Sequence, residues 1–417
     1  MKTAAIIAEY NPFHNGHHHQ LQTVRDRYGA DRVIVIMSGD FIQRGGPAFL
    51  DKYSRARMAL LAGADLVIEL PAVFAVSESA IFSRGAVRLL DRLGLVDALY
   101  FGCETPDPSL FEICSDILLE EPPIFRETLQ SAVREGLSYP RARALALREA
   151  FSLSFPGRLL PEGFLSSPNN ILALEYHLAL KQEHSVIRPV PMLRKGAGYH
   201  DTRVNGAMAS ASGIRKALLQ DGPSPAVSQA VPAFVFEALS DGFGKAFPVV
   251  TDDFSQVFAA AFLAYAGAVH PSENTYFGTD LFRRMTRLFD DQTSLSQYLS
   301  LLKTKGYTKT RIDRSVFRML LHIPRDQGRI LLEGPSGWEY ARILGFRKDS
   351  VDLLHAIKKA HSIPLIAKMA DAPRKLPSRS LAVLKKDIYA ADLYRHIQQI
   401  KFRGVLKTEW TQSVIRV

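Results

Sequence analysis

Short apolar runs and helical spacings alternate along the first half of this chain. Ala4–Ala8, Arg32–Met37, Asp65–Leu70 and Asp97–Phe101 are nearly continuous apolar stretches, and runs without polar alternation suit strands buried on both faces. Helical spacing falls between them, near His17–Arg27, Lys52–Ala62 and Ser77–Leu93. A βαβαβαβ order predicts a parallel sheet wound with right-handed crossovers. A later strand, Ser185–Val190, follows the helical segment Asn170–Gln182 and extends the same sheet. Gly- and Pro-containing runs at Pro156–Pro168 and Gly222–Pro232 punctuate the pattern, and the second is the expected domain boundary. Beyond it the periodicity turns helical at Phe234–Leu239, Phe254–Ala266, Asp280–Phe289, Ser294–Lys303, Thr310–Leu321 and Asp349–His361. Asp371–Arg379, with its two prolines, reads as an exposed loop. The expected fold is α/β: a Rossmann-like parallel-sheet domain over residues 1–221, then a mainly α-helical domain over residues 222–417.

Composition narrows the class. With 417 residues, 47% hydrophobic and 23% charged, the chain has ample core for two or three domains and is neither disordered nor fibrous. Its charge is +10, and the excess is unevenly spread: residues 1–220 hold 24 Lys/Arg against 23 Asp/Glu, leaving 28 against 19 in the rest. The helical half is therefore basic and calls for an anionic partner. Two cysteines, Cys103 and Cys114, are too few for a disulfide framework or a Cys-rich zinc site, which predicts a reducing compartment, the cytoplasm. The N-terminal apolar run stops at Glu9, unlike a signal peptide, and no window reaches the 18 or so apolar residues of a membrane span.

Candidate chemistry begins where the first strand ends, at Glu9. The turn Asn11-Pro12-Phe13-His14-Asn15-Gly16-His17 leads into a helix, at the carboxyl end of a parallel strand, where ligands bind and helix amides face anions. His14 and His17 flank Gly16, so both imidazoles can address one phosphate while the glycine admits a base or ribose. An isolated H-x-G-H also fits a histidine-rich surface turn, or a metal site built from His14, His17, His18 and His19, although no H-E-x-x-H or paired-Cys spacing supports a metal. A second element, Ser210-Ala211-Ser212-Gly213-Ile214-Arg215, opens another helix. Its hydroxyls, amides and arginine suit a leaving pyrophosphate, and equally an ordinary N-cap with a helical arginine. Walker-type G-x-x-x-x-G-K-[ST], G-x-G-x-x-G and Lys-Met-Ser-Lys-type sequences are absent.

Together the two elements resemble the H-x-G-H and S-x-S/T-x-I-R signatures of the HIGH-type nucleotidyltransferase superfamily. The resemblance narrows through Glu9–His17, Met37-Ser38-Gly39-Asp40-Phe41-Ile42-Gln43-Arg44-Gly45, Asp65–Pro71, Ser167–Leu172, Gly198-Tyr199-His200-Asp201, Leu302–Arg311 and Arg342–Phe346. In this order the blocks look like the tRNA(Met) cytidine acetate ligase family, and they span most of the chain. The resemblance implies a nucleotidyltransferase domain that activates acetate with ATP as acetyl-adenylate. The acetyl group then passes to N4 of the wobble cytidine of elongator tRNA(Met).

It further implies that ATP is held by Ile7, Ala8, Glu9, Tyr10, Asn11, Pro12, Phe13, His14, Asn15, Gly16, His17, His18, His19 and Gln20, and by Gly102, Asn169 and Arg194. Ser210, Ser212 and Arg215 complete the expected ATP site, His14, His17 and Arg215 are the expected catalytic residues, and Mg²⁺ is the expected counter-ion. His18 and His19 extend the usual motif and are not expected to be essential. Read locally, Gly102 also fits a strand-end turn, Asn169 a helix cap and Arg194 a solvated loop. Gly213 stands where a hydroxyl residue is often found, so one phosphate hydrogen bond is either lost or replaced by the Gly213 amide. Asp40 suits a structural hydrogen bond at least as well as a catalytic one. Lys303, Lys305, Lys309, Arg311, Arg314, Arg347 and Lys348, with Arg318, Lys358 and Lys359, are the tRNA-binding candidates; a solvated basic face is the bland alternative. The competing function is a small-metabolite adenylyl- or cytidylyltransferase with a helical oligomerisation domain, which leaves the basic half without a purpose. A non-catalytic RNA-binding protein sits poorly with intact His14, His17 and Arg215.

Overall fold

A computed structural model describes residues 1–194, 206–290, 293–304, 306–335 and 337–417. Five parallel strands form its sheet: β1 (Thr3–Ala8), β2 (Arg32–Ser38), β3 (Leu66–Leu70), β4 (Ala98–Cys103) and β5 (Arg188–Leu193). Val33, Ile34, Val35, Ile36 and Met37 are all fully buried, the signature of a strand covered on both faces. Helix α1 (Asn15–Asp26) covers one face through Leu21 and Val24. The helix Ser79–Leu93 packs Val87 and Leu90 against Ile34 and Ile68 on the other.

Three further strands come from the second half: β6 (Ala341–Phe346), β7 (Leu365–Ile366) and β8 (Ile415–Arg416). β6 pairs antiparallel with β3, giving the order β5-β4-β1-β2-β3-β6-β7 with β8 also on β6. The helices expected after residue 222 are present, and Phe254 and Phe317 from them join the core formed by Ile34, Ile68 and Phe41, together with Tyr394 from a helix outside those expected, Ser378–Phe402. No described helix is long and apolar enough to cross a membrane.

Two local expectations need correction. The fifth strand begins at Arg188, not Ser185. The Ser185 amide still closes the preceding helix on the Leu180 carbonyl, and only at Arg188 does an amide reach Asp97 across the sheet. Asp371–Arg379 is not a loop: Ala372–Lys375 forms a helical turn with Ala372 and Leu376 buried, and the 25-residue helix Ser378–Phe402 starts within it.

β1 is flanked by β2 on one side and β4 on the other. Chain connections leave in opposite directions there, which opens a crevice beyond the carboxyl ends of the strands. Both sequence motifs arrive at that crevice.

Candidate active site

A cleft of about 1260 Å³ lies beyond β1 and β4. At its floor the chain leaves β1 and turns through Tyr10, whose φ is 49°, before His14 caps α1. The Gly16 amide donates to His14 Nδ1 at 3.1 Å, and the His14 amide donates to His17 Nδ1 at 3.3 Å. The two rings stack with centroids 3.6 Å apart and planes at 23°. A Cβ on residue 16 would sit 3.0 Å from His14 Cε1, so glycine lets the ring lie over the helix start. Phe13 and Tyr10 pack on His17 with ring centroids 5.5 and 4.8 Å away.

This geometry defines the chemistry of the pair. Each Nδ1 accepts a backbone amide, so in the neutral ring the proton resides on Nε2. Burial, reinforced by Arg194 and Arg215, pushes the His14 pKa down to about 3. Burial, followed by His14 and Arg194, holds His17 well below the usual imidazole range. At neutral pH the unliganded pair is uncharged and presents two Nε2–H donors.

The second motif faces the first. Ser210 caps the helix Ala211–Asp221, its Oγ accepting the Gly213 amide at 3.0 Å and lying 3.1 Å from Ser212 Oγ. The Gly213 amide is thus engaged by the cap, which favours the first of the two alternatives, a lost phosphate hydrogen bond, over replacement by this amide. Arg215 donates to the Asn11 carbonyl at 2.5 Å. Burial lowers the Arg215 pKa, opposed by Glu9. Asn15 ties the motifs together by donating to the carbonyls of Ala207 and Gln229, each at 2.8 Å.

On the β4 side a polar relay holds the third group. Arg194 donates to Asn169 Oδ1 at 2.9 Å, Asn169 donates to Glu104 Oε1 at 2.7 Å, and Glu104 Oε2 accepts the Asn170 amide at 2.9 Å. Asn169 is therefore not the cap of its helix; the Glu104 carboxylate takes that amide, and Asn169 is free to orient the arginine. Arg194 crosses Gly102 so closely that a Cβ there would lie 2.9 Å from Arg194 Cγ. Gly102→Ala is accordingly expected to displace Arg194 and weaken ATP binding about tenfold, the scale of one charge-assisted hydrogen bond. Titration of ATP by calorimetry checks this, and an unchanged affinity would remove Gly102 from the site.

All the expected ATP-site residues line the cleft except Pro12, Phe13, Asn15 and His18. Three of those four buttress the wall: Phe13 is fully buried, Asn15 bonds the facing loop, and His18 meets Phe234 edge-on at 6.3 Å. Sequence reasoning missed Arg55. Fully buried, it donates to the carbonyls of Glu9 at 2.7 Å and Ser38 at 3.0 Å, and to that of Gly39, clamping the ends of β1 and β2. Asp40 accepts the Lys52 amide at 2.7 Å, the structural alternative, and burial pushes its carboxyl up to about 7.

The basic candidates do not share one face. Lys303 is exposed, Lys309 pairs with Asp313 at 2.7 Å and Arg311 lies over the Tyr307 ring at 4.9 Å. Arg314 lines the cleft. Lys305 falls outside the described residues, as do Gly198–Asp201. Arg318 is buried, bonding the Val76 carbonyl, Ser77 and Glu78 from within, so it is a packing residue and not an RNA contact. Arg347 and Lys348 follow β6, whose end pairs with the start of β3. That is the amino end of β3, away from the strand carboxyl ends where the cleft lies, and there Arg347 pairs with Asp349 at 2.6 Å.

The fold, the histidine pair and the arginine-bearing helix start define a class. A HIGH Nucleotidyl Transferase profile matches residues 1–408, and the chain is a member of that class. A relative from Thermoanaerobacter sp. (strain X514), named tRNA(Met) cytidine acetate ligase, is 36% identical over 397 residues, covering 94% of this chain and 95% of its own. The protein of the same name from Acetivibrio thermocellus is 35% identical across the full length of both chains. Crystal structures of Thermotoga maritima TmcAL superpose over all of both chains, the apo form with a TM-score of 0.91 at 29% identity, and the form bound with alpha-thio ATP with 0.87 at 28%. This chain belongs to the tRNA(Met) cytidine acetate ligase family.

Proposed function

We propose that this protein is an ATP-dependent ligase that activates acetate as acetyl-adenylate and acetylates N4 of the wobble cytidine of elongator tRNA(Met). The observation that carries the reading is the stacked, neutral His14–His17 pair, whose two Nε2–H groups share one cleft with Arg194 and Arg215. Acetate is a poor electrophile until one of its oxygens is bonded to phosphorus. In the first step an acetate oxygen attacks the α-phosphate of ATP and the bond to pyrophosphate breaks. Oriented donors stabilise the charge that builds on the phosphate oxygens. His14 and His17 supply them without adding formal charge, while Arg215, Ser210 and Ser212 steady the departing pyrophosphate. In the second step the cytosine amine attacks the acetyl carbonyl, AMP leaves with the bonding electrons, and the amine loses a proton to solvent. That amine is weakly nucleophilic because its lone pair is delocalised, so placement matters more than a strong base.

Mg²⁺ fits as a companion of the triphosphate. Among the described residues no three His, Cys, Asp or Glu side chains cluster as ligands; phosphate oxygens and water would hold the ion, which shields charge. Residues 1–221 carry activation and residues 222–417 bind RNA; the +10 charge of the latter half and the exposed Lys303 and Arg311 support that division. A tRNA substrate and two buried free thiols, Cys103 and Cys114, support action in the cytoplasm.

Incubating the protein with labelled acetate, ATP and bulk tRNA, followed by nucleoside analysis, tests the reading. Acetylcytidine should appear only when both ATP and acetate are present. Label that never enters tRNA would sink the ligase and favour a transferase acting on a small metabolite.

A further inference from the structure

One feature of the geometry is left unused by acetate activation: the helix Lys309–Leu320, from the basic half, reaches into the activation cleft. Thr310 and Arg314, four residues apart and so on one helix face, both line it together with His14, His17 and Arg215. Among the described residues Arg314 is a cation without a matching anion. The carboxylates near it are taken: Asp313 pairs with Lys309 at 2.7 Å and Glu78 with Arg318 at 2.9 Å. Among the described residues Arg314 makes no salt bridge, and its one hydrogen bond is a long 3.4 Å contact to the Gln43 carbonyl. Burial lowers its pKa only to about 10, so it stays charged at neutral pH.

Its place is set by the loop that follows β2. Gly45, at φ 78°, packs backbone on backbone against the helix: a Cβ there would lie 2.2 Å from the Arg314 amide nitrogen. Two residues earlier, the Gln43 amide donates to Glu9 Oε1 at 2.8 Å, where β1 ends. This loop is therefore a spacer with one side on the nucleotide turn and the other on Arg314. ATP already has the His14–His17 pair, Arg194 and Arg215. Arg314 comes instead from the half that carries the charge excess, on the helix whose first turn exposes Lys309 and Arg311.

We infer that Arg314 binds a backbone phosphate of the incoming RNA strand and so positions the acceptor cytidine for acetyl transfer, with no part in forming acetyl-adenylate. The inference rests on the ligase reading above. Arg314→Ala and Arg314→Lys separate the two half-reactions. Acetate-dependent ATP–pyrophosphate exchange without tRNA is expected to stay within about twofold of wild type. Transfer to tRNA, as kcat/KM, should fall about tenfold in the alanine variant and partly recover with lysine, and the salt dependence of tRNA binding should lose about one unit of slope. Equal losses in exchange and transfer would overturn the inference, since Arg314 would then serve ATP, acetate or folding; unimpaired transfer would overturn it as well. Wild-type protein that exchanges pyrophosphate yet never labels tRNA would instead remove the ligase reading itself.

Discussion

His17→Ala is expected to lower acetate-dependent ATP–pyrophosphate exchange by about 10²–10³-fold, the usual cost of deleting one preorganised donor to a charge-building oxygen. The reasoning starts from the ring's two nitrogens. Nδ1 is tied to the His14 amide at 3.3 Å, so the ring is fixed and only Nε2–H is available to substrate. The face of the ring is fixed too, stacked on His14 and flanked by Phe13 and Tyr10. Alanine removes the donor and the acceptor of one cap hydrogen bond, and the latter costs about 1 kcal/mol of local stability. That loss is too small to unfold the protein, and the basic helices that would hold RNA lie outside α1. Binding of tRNA, followed by filter retention, should therefore stay near wild type while exchange collapses. His17→Gln restores an N–H donor on a flexible stem and should recover part of the rate. Equal losses in exchange and tRNA binding would show that His17 is a folding residue, and an unaffected exchange rate would show that the pair does not touch the reacting phosphate.

How much of this was readable in advance depends on how local each signal is. Strands β1 to β4 were legible because a strand buried on both faces is a continuous apolar run, and Val33–Met37 is one. β6 is buried on both faces as well, yet its sequence carries Arg342, a charge that a single-chain pattern assigns to solvent. In the structure that guanidinium is buried, donating to the Tyr53 hydroxyl at 3.0 Å and lying 3.6 Å from Glu409. The histidine turn and the serine–arginine turn were legible because each is a short segment whose residues work together. Gly102, Asn169 and Arg194 entered only through family resemblance, since the relay from Glu104 through Asn169 to Arg194 joins segments 65 and 25 residues apart. Arg318 shows the converse error. In KTRIDRSVFR it looks like part of a solvated basic face, but its partners Val76, Ser77 and Glu78 lie about 240 positions away and leave no local trace.

The largest effect on stability is expected at a residue with equally little local signal, Lys52 in helix α2 (Lys52–Leu61). Its ammonium is fully buried and donates to both Glu69 oxygens at 2.9 and 3.0 Å and to Glu409 Oε2 at 3.1 Å. Burial pulls its pKa down, but Glu409 and Glu69 more than offset this and hold it well above the lysine range. Lys52→Met keeps the volume and leaves two carboxylates buried, with Arg342 still near Glu409 but the Lys52 ammonium gone from Glu69. Breaking one side of a buried ionic cluster in this way costs about 3–5 kcal/mol, to be read from the urea midpoint at constant slope. The pH dependence tests the cause. Burial already raises the Glu69 pKa against the pull of Lys52, and removing the ammonium raises it further. A carboxyl whose folded pKa exceeds its unfolded value takes up its proton more readily when folded. The deficit of Lys52→Met should therefore be greatest at pH values above the raised Glu69 pKa and shrink as the pH falls through it. Lys52→Met/Glu69→Gln, which removes the orphaned charge, should recover part of the loss at pH 8. A deficit that is the same at every pH, or a double variant no better than the single, would mean that lost packing and not an unpaired carboxylate accounts for the change. The site has a stake in the result: a Cβ on Gly39 would meet Glu69 Oε1 at 2.4 Å, so this carboxylate sits directly beneath the backbone that leads from β2 to Gln43 and Arg44 in the cleft.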